Sequence, residues 1–159
     1  MRVMLQFNHQ RLIPTSKEDH FMIKLIVGKK GTGKTKTIIE MANVAMSDEK
    51  NHVVVIEKSD KLRYGINHKA RLVSASEYQI KGFDMFAGFM AGLFAGNYDI
   101  THLYVDSVNK ITGETDAAKL EGFVEYLEKL EAANHIECVI AVSMEASELG
   151  EIAKKHILA

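Results

Sequence analysis

The stretch KLIVGKKGTGKTKT, Lys24 to Thr37, places three glycines, an ammonium group and hydroxyls between an apolar run and a helical pattern. Gly28 and Gly33 permit positive φ and let backbone come close to a ligand, and Gly31 adds slack between them. N–H groups along the loop, through Gly28, Lys29, Lys30, Gly31, Thr32, Gly33, Lys34, Thr35 and Lys36, are then expected to point inward as an anion nest. A helix starting near Gly33 adds its partial positive end. In such a loop Lys34 reaches the β- and γ-phosphates of a nucleotide, and Thr35 offers its hydroxyl to Mg²⁺. The spacing is that of the phosphate-loop pattern G-x-x-x-x-G-K-[ST], and the strand–loop–helix context separates it from an ordinary glycine turn.

A second group lies downstream. Asp106 closes the apolar run Leu103-Tyr104-Val105, where a carboxylate can hold Mg²⁺ through its water shell, opposite Thr35. The plainer role for such an Asp is to start a turn. Glu57 and Ser143 close two other apolar runs. Glu57 stands near Lys58 and Lys61, so a solvated ion pair of little worth is one reading of it.

These groups need a frame. Ile23 to Val27, Val53 to Ile56, Arg71 to Ser74, Ile100 to Val105 and Cys138 to Val142 read as strands, mostly continuous apolar runs of the kind covered on both faces. Lys34 to Met46 reads as a helix with Ile38, Ile39, Met41, Ala42 and Ala45 inward. Asp116 to Ala133 is amphipathic: Leu120, Phe123, Val124, Leu127 and Leu130 share a face, Glu121, Glu125, Glu128 and Glu131 face water, and Asn134 suits the stop. Ala146 to Lys155 reads as a helix and His156 to Leu158 as a short last strand. Phe83 to Gly96 is too short to span a bilayer. Its Gly88, Gly92 and Gly96 form a flat ridge where another backbone can approach, and a buried helix is favoured over a dimer or membrane face. Alternating strands and helices imply a three-layer α/β/α domain with a mainly parallel, doubly wound sheet. Ligands of such sheets bind beyond the carboxyl ends of the strands, where the loop, Glu57, Asp106 and Ser143 all fall.

Residues 22–159 suit one nucleotide-binding domain. Residues 1–21 hold the only proline, Pro14, and differ in character; they read as an extension upstream of a natural start at Met22, or else Val3 to Phe7 adds an edge strand. The net charge of −1 suggests no global nucleic-acid or membrane field. Lys24 to Arg71 nevertheless carries 11 Lys/Arg against 5 Asp/Glu, which leaves room for a basic nucleic-acid surface without indicating one. A single Cys138 excludes an intramolecular disulfide, the scattered histidines argue against zinc, and no secretory signal is legible, so a cytoplasmic protein is expected.

The segment YVDSVNKIT, Tyr104 to Thr112, resembles the Walker B region of RecA-type ATPases. VVVIEKS (Val53 to Ser59) and VIAVS (Val139 to Ser143) are similar to two further strands of that family, in the same order. The resemblance runs from Met22 to Ser143. It implies Glu57 as catalytic base, Ser143 as γ-phosphate sensor, and the Ser143 strand between the phosphate-loop and Asp106 strands. Glu145 is a second candidate base. The chain also looks similar to small bacterial P-loop proteins labelled twitching-motility (pilus-retraction) ATPases. It departs from the recombinases in length, in lacking a DNA-binding loop, and in having no Arg after Arg71. Only Lys or a partner, another protein or a second copy, could then neutralise transition-state charge, so slow hydrolysis is expected of the chain alone. ATP is preferred over GTP on the resemblance alone. A non-hydrolysing regulatory module is the alternative. A nucleoside or small-molecule kinase is disfavoured by the four arginines and by the absence of a long insertion.

Overall fold

The computed structural model describes residues 22–158. The proposed extension 1–21 and the edge strand at Val3 to Phe7 lie outside them. Five strands are laid down: β1 (Ile23–Val27), β2 (Val53–Glu57), β3 (Arg71–Ser74), β4 (His102–Val105) and β5 (Glu137–Val142). All pair in parallel, in the order β1-β5-β4-β2-β3. The strand ending at Ser143 thus lies between β1, which leads into the glycine loop, and the Asp106 strand, as the resemblance implied. The helices are α1 (Lys34–Met46), α2 (Gly82–Gly96), α3 (Val108–Thr112), α4 (Ala117–Asn134) and α5 (Glu151–Lys155).

Strand side chains alternate between two cores, which is why the runs are apolar throughout. Val53, Val55, Tyr104, Val139 and Ala141 pack with Ile38, Met41, Ala42 and Ala45 of α1. Val54, Ile56, Leu103, Val105, Ile140 and Val142 pack against α2, α3, α4 and α5. Phe86 is fully buried, its ring centroid 5.6 Å from that of Phe123, so it joins α2 to α4. Each such side chain contributes about 1.5–3 kcal/mol of burial. Cys138 is buried on β5, and burial pushes its thiol up to about 12. No helix among the described residues is long and apolar enough to cross a membrane.

Several expectations need correction. The ridge of Gly88, Gly92 and Gly96 faces outward: no atom lies within 4 Å of where their Cβ atoms would stand. Helix α2 packs instead through Phe83, Phe86, Met90 and Phe94, because aromatic bulk fills the space over the sheet. Ile39 is only half-buried. Strand β4 begins at His102 rather than Ile100. Helix α4 runs through Asn134 and stops at His135, in the left-handed region at φ 53°. The helix expected over Ala146 to Lys155 is broken by extended Leu149 and Gly150. Its second half starts where the Glu121 carboxylate accepts the N–H groups of Ile152 (2.6 Å) and Ala153 (3.1 Å). Glu128 bonds Nε2 of buried His156 at 2.7 Å, and Glu131 accepts Met22 N–H at 2.8 Å. Three of the four glutamates thought to face water therefore tie α4 to the C-terminal turn and to β1. The final segment does run beside β1, with Leu25 N–H donating to His156 O and Leu158 N–H to Leu25 O, both at 2.8 Å.

At the amino ends of the strands, Glu137 joins β5 to both neighbours. It accepts Lys24 Nζ at 2.7 Å and meets His102 Nε2 at 3.2 Å. Burial alone would raise its carboxyl, but the His102 and Lys24 hydrogen bonds bring it down to about 2. A folded pKa below the unfolded one stabilises above the ordinary carboxylate range, and that stability is lost as pH falls towards the folded value. Glu137→Gln is expected to cost about 1–3 kcal/mol at neutral pH. The deficit against the parent should narrow as pH falls from about 4.5 towards 2, which urea titrations across that range would measure.

Candidate nucleotide site

Four strand ends meet at one edge. Val27 is paired with Val142, Val105 with Ile140, and Ile56 with Val105. Gly28 therefore stands beside Ser143, and Glu57 beside Asp106, the second pair level with Ala141, two residues before Ser143, so all four lie at the same edge. Parallel pairing makes this unavoidable, since every crossover returns the chain to the same end of the sheet.

The loop from Gly28 leads into α1. Gly28 has φ 153°, and a Cβ there would stand 2.7 Å from Thr32 Oγ1. Gly33 caps α1 at φ 86°, a conformation that costs a β-carbon residue dearly but glycine little. Gly28 N–H is spent on Met144 O at 2.8 Å, so it is not part of the nest. The N–H groups of residues 29–35 find no acceptor among the described residues. They stand at the N-terminus of a thirteen-residue helix, where backbone partial charge is positive. Lys29, Lys30, Gly31, Thr32 and Gly33 are exposed.

Lys34 is buried at the centre of the turn. Its Nζ donates to Gly28 O and Lys29 O, both at 2.7 Å, and to Thr32 Oγ1 at 3.3 Å. Burial lowers its pKa; the Asp106 charge opposes this and the Lys110 charge adds to it. Thr35 Oγ1 donates to Asp106 Oδ1 at 3.0 Å, with Oδ2 at 3.3 Å. Hydroxyl and carboxylate, 71 residues apart in sequence, thus converge on one point. This is an all-oxygen donor pair of the kind a hard divalent cation takes, with remaining positions left to water and phosphate.

Glu57 differs from the solvated ion pair considered for it. It is 5% exposed, and both its oxygens accept Leu62 N–H, at 3.1 and 3.2 Å. Burial raises its pKa, the Leu62 hydrogen bond lowers it, and the charges of Asp106 and Asp60 raise it further. Ser143 is half-buried; its N–H donates to Asn109 Oδ1 at 2.8 Å. Glu145 is exposed, 3.4 Å from Lys29 Nζ across the loop mouth. Lys36 lies on the exposed side of the first helical turn.

Asn109 escaped the sequence reading. It is buried on α3, with Nδ2 donating to Glu114 O at 2.9 Å, and it fixes the end of β5 to the segment after Asp106. An asparagine three residues past a strand-end Asp carries no periodic signal. Ser107, at φ 54°, turns the chain so that α3 starts at once.

Burial raises the pKa of Asp106, against the Thr35 hydrogen bond and the charges of Lys110 and Lys34. A folded pKa above the unfolded one means that ionisation costs stability as pH rises through that interval. Asp106→Asn is therefore expected to raise the melting temperature at neutral pH by about 2–8 °C. The gain should disappear below the ordinary carboxylate range, as thermal melts at both pH values would show.

No family model matches the chain, and no curated protein matches it. Among solved structures it superposes on the flagellar accessory protein FlaH from Methanocaldococcus jannaschii with a TM-score of 0.54, covering 84% of this chain and 67% of that one at 12% identity. At that identity the likeness speaks to architecture alone. With the five-stranded parallel sheet and the loop after its first strand, it shows a RecA-like α/β fold.

Proposed function

We propose that this chain binds a nucleoside triphosphate together with Mg²⁺, with ATP favoured, and hydrolyses it slowly as a switch or motor part. The observation that carries this reading is the contact of Thr35 Oγ1 with Asp106 at the mouth of a loop whose amides lack acceptors among the described residues. Loop amides and the α1 N-terminus bind phosphate oxygens. Lys34 exchanges its bonds to Gly28 O and Lys29 O for phosphate. Thr35 and Asp106 would hold Mg²⁺, which supplies charge neutralisation on the phosphates. Glu57 orients water and takes its proton, and the Ser143 hydroxyl reads the terminal phosphate. Turnover stays slow until a partner, whether a second copy or another protein, adds cationic charge. The likeness to pilus-retraction ATPases remains at the level of fold.

A specific observation favours a second reading, in which nucleotide is held without turnover. Both Glu57 oxygens are engaged by Leu62 N–H, so the carboxylate must leave that amide before it can serve water. Phosphate release with ATP and with GTP, with and without nucleic acid, tests the main reading against Lys34→Ala. Release by the parent and none by the variant supports it. Equal release by the two sinks the site assignment, and tight binding with no release under any condition selects the second reading.

A further inference from the structure

After Asp84, every residue of α2 from Met85 to Gly96 is apolar or glycine. Phe86, Met90 and Phe94 are spent on the core. The solvent side keeps Met85, 49% exposed, half-buried Phe89, Ala91 and Leu93, and the open glycines. Tyr78, 53% exposed, extends this area, its ring centroid 5.7 Å from that of Phe89. Apolar side chains scattered singly over a surface are ordinary, whereas about three helical turns without a charge are not.

Beside this face, between α2 and α4, lies a cavity of about 700 Å³. Phe83 and Phe123 line it, their ring centroids 5.3 Å apart. Gly88 of α2 and Gly122 of α4 leave it open, since no atom lies within 4 Å of where either Cβ would stand. A glycine inside a helix costs about 1 kcal/mol against alanine, and here both glycines keep space that no side chain of the described residues fills. The rim carries both signs. Lys81 and Asp84 stand on the α2 side, and Lys119 pairs with Glu114 at 2.6 Å on the other. Met85 follows Asp84 directly, its Sδ accepting Lys81 N–H at 3.4 Å.

We propose that this face pairs with itself, so that two copies of the chain form a twofold dimer in which Met85 of each enters the cavity between α2 and α4 of the other. One face thus offers both an exposed apolar side chain and an apolar recess, which is what an isologous contact requires. The rim is self-complementary as well: about a twofold axis, Lys81 meets the partner's Asp84 and Asp84 meets the partner's Lys81. A lipid surface with anionic headgroups would ask for a cationic rim, and two cations balanced by two carboxylates do not supply one. The pairing needs no nucleotide.

Sedimentation of the full chain between about 1 and 100 µM tests the proposal. The parent is expected to be a dimer at the upper end. Gly88→Lys sets a charged chain in space that is open in the single copy, so it should weaken association by about 30-fold or more. It also replaces glycine in a helix, so at the lowest concentration it should melt no lower than the parent. Asp84→Lys is expected to weaken the dimer about 10-fold by facing the partner's Lys81, and the double variant Lys81→Asp, Asp84→Lys to recover it to within about 3-fold. A parent that stays monomeric overturns the proposal, and its cosedimentation with phosphatidylcholine vesicles would assign the face to lipid instead. A dimer left intact by Gly88→Lys overturns it too, since the contact then lies elsewhere. Failure of the double variant to recover overturns the pairing of the rim.

Discussion

Lys34→Ala is expected to weaken nucleoside triphosphate binding by about 100-fold or more while leaving the domain folded. The ammonium is buried in the turn, 2.7 Å from each of two loop carbonyls. Charge-assisted contacts to phosphate in a half-dry setting are worth about 3 kcal/mol together, which is two decades in affinity. The fold should tolerate the change. The carbonyls left behind lie beside an exposed loop that water can reach, and burial already disfavours the charged lysine there. The same substitution thus removes a ligand contact and an electrostatic cost. Calorimetric titration with Mg-ATP, paired with thermal melts, separates the two consequences. A variant that melts like the parent and also binds like it would remove the loop from the site. Lys34→Arg is not expected to rescue binding, because the planar guanidinium is too broad for a turn in which the ammonium is enclosed by backbone.

What was legible in the sequence follows from what is local. The bounds of β1, α1 and β3 could be read directly, since a buried strand is a short apolar run and α1 repeats its apolar residues at helical spacing. Gly28, Gly33, Lys34 and Thr35 stood out because a tight glycine turn into a helix demands fixed residue types at fixed intervals, and both glycines do take positive φ. The order of the strands came from resemblance; nothing in local pattern says that β5 sits between β1 and β4. Contacts between distant residues left no trace. Glu121, Glu128 and Glu131 occupy the polar side of an amphipathic helix, and only the arrival of α5, His156 and Met22 turns them into partners. The glycine spacing in α2 was real, but it cannot say which side of a helix meets the sheet; the phenylalanines decided that. One of the two readings of Glu57 was a solvated surface charge, because its neighbours are lysines, whereas the turn at Lys61–Tyr64 folds back and covers it.

That cover shapes the second large expectation. Glu57→Gln should lower the rate of phosphate release by about 100-fold or more while nucleotide affinity stays within about 3-fold of the parent. The glutamine amide has the shape of the carboxyl group, and its oxygen can still accept Leu62 N–H, so the turn at Lys61–Tyr64 stays in place. It cannot take a proton from water. The raised pKa of Glu57, caused by burial against the Leu62 hydrogen bond, makes it a stronger base than an exposed carboxylate. The parent's rate should accordingly rise with pH through a value above the ordinary 4.5, as the carboxylate ionises, and the variant's should not. Stability moves the other way: a carboxylate with a raised folded pKa costs free energy once ionised, so Glu57→Gln should melt no lower than the parent at neutral pH. A rate unchanged by the substitution, with the pH profile intact, would make Glu57 the residue that holds the turn rather than the base. Water activation would then pass to Glu145, exposed across the loop mouth beside Lys29.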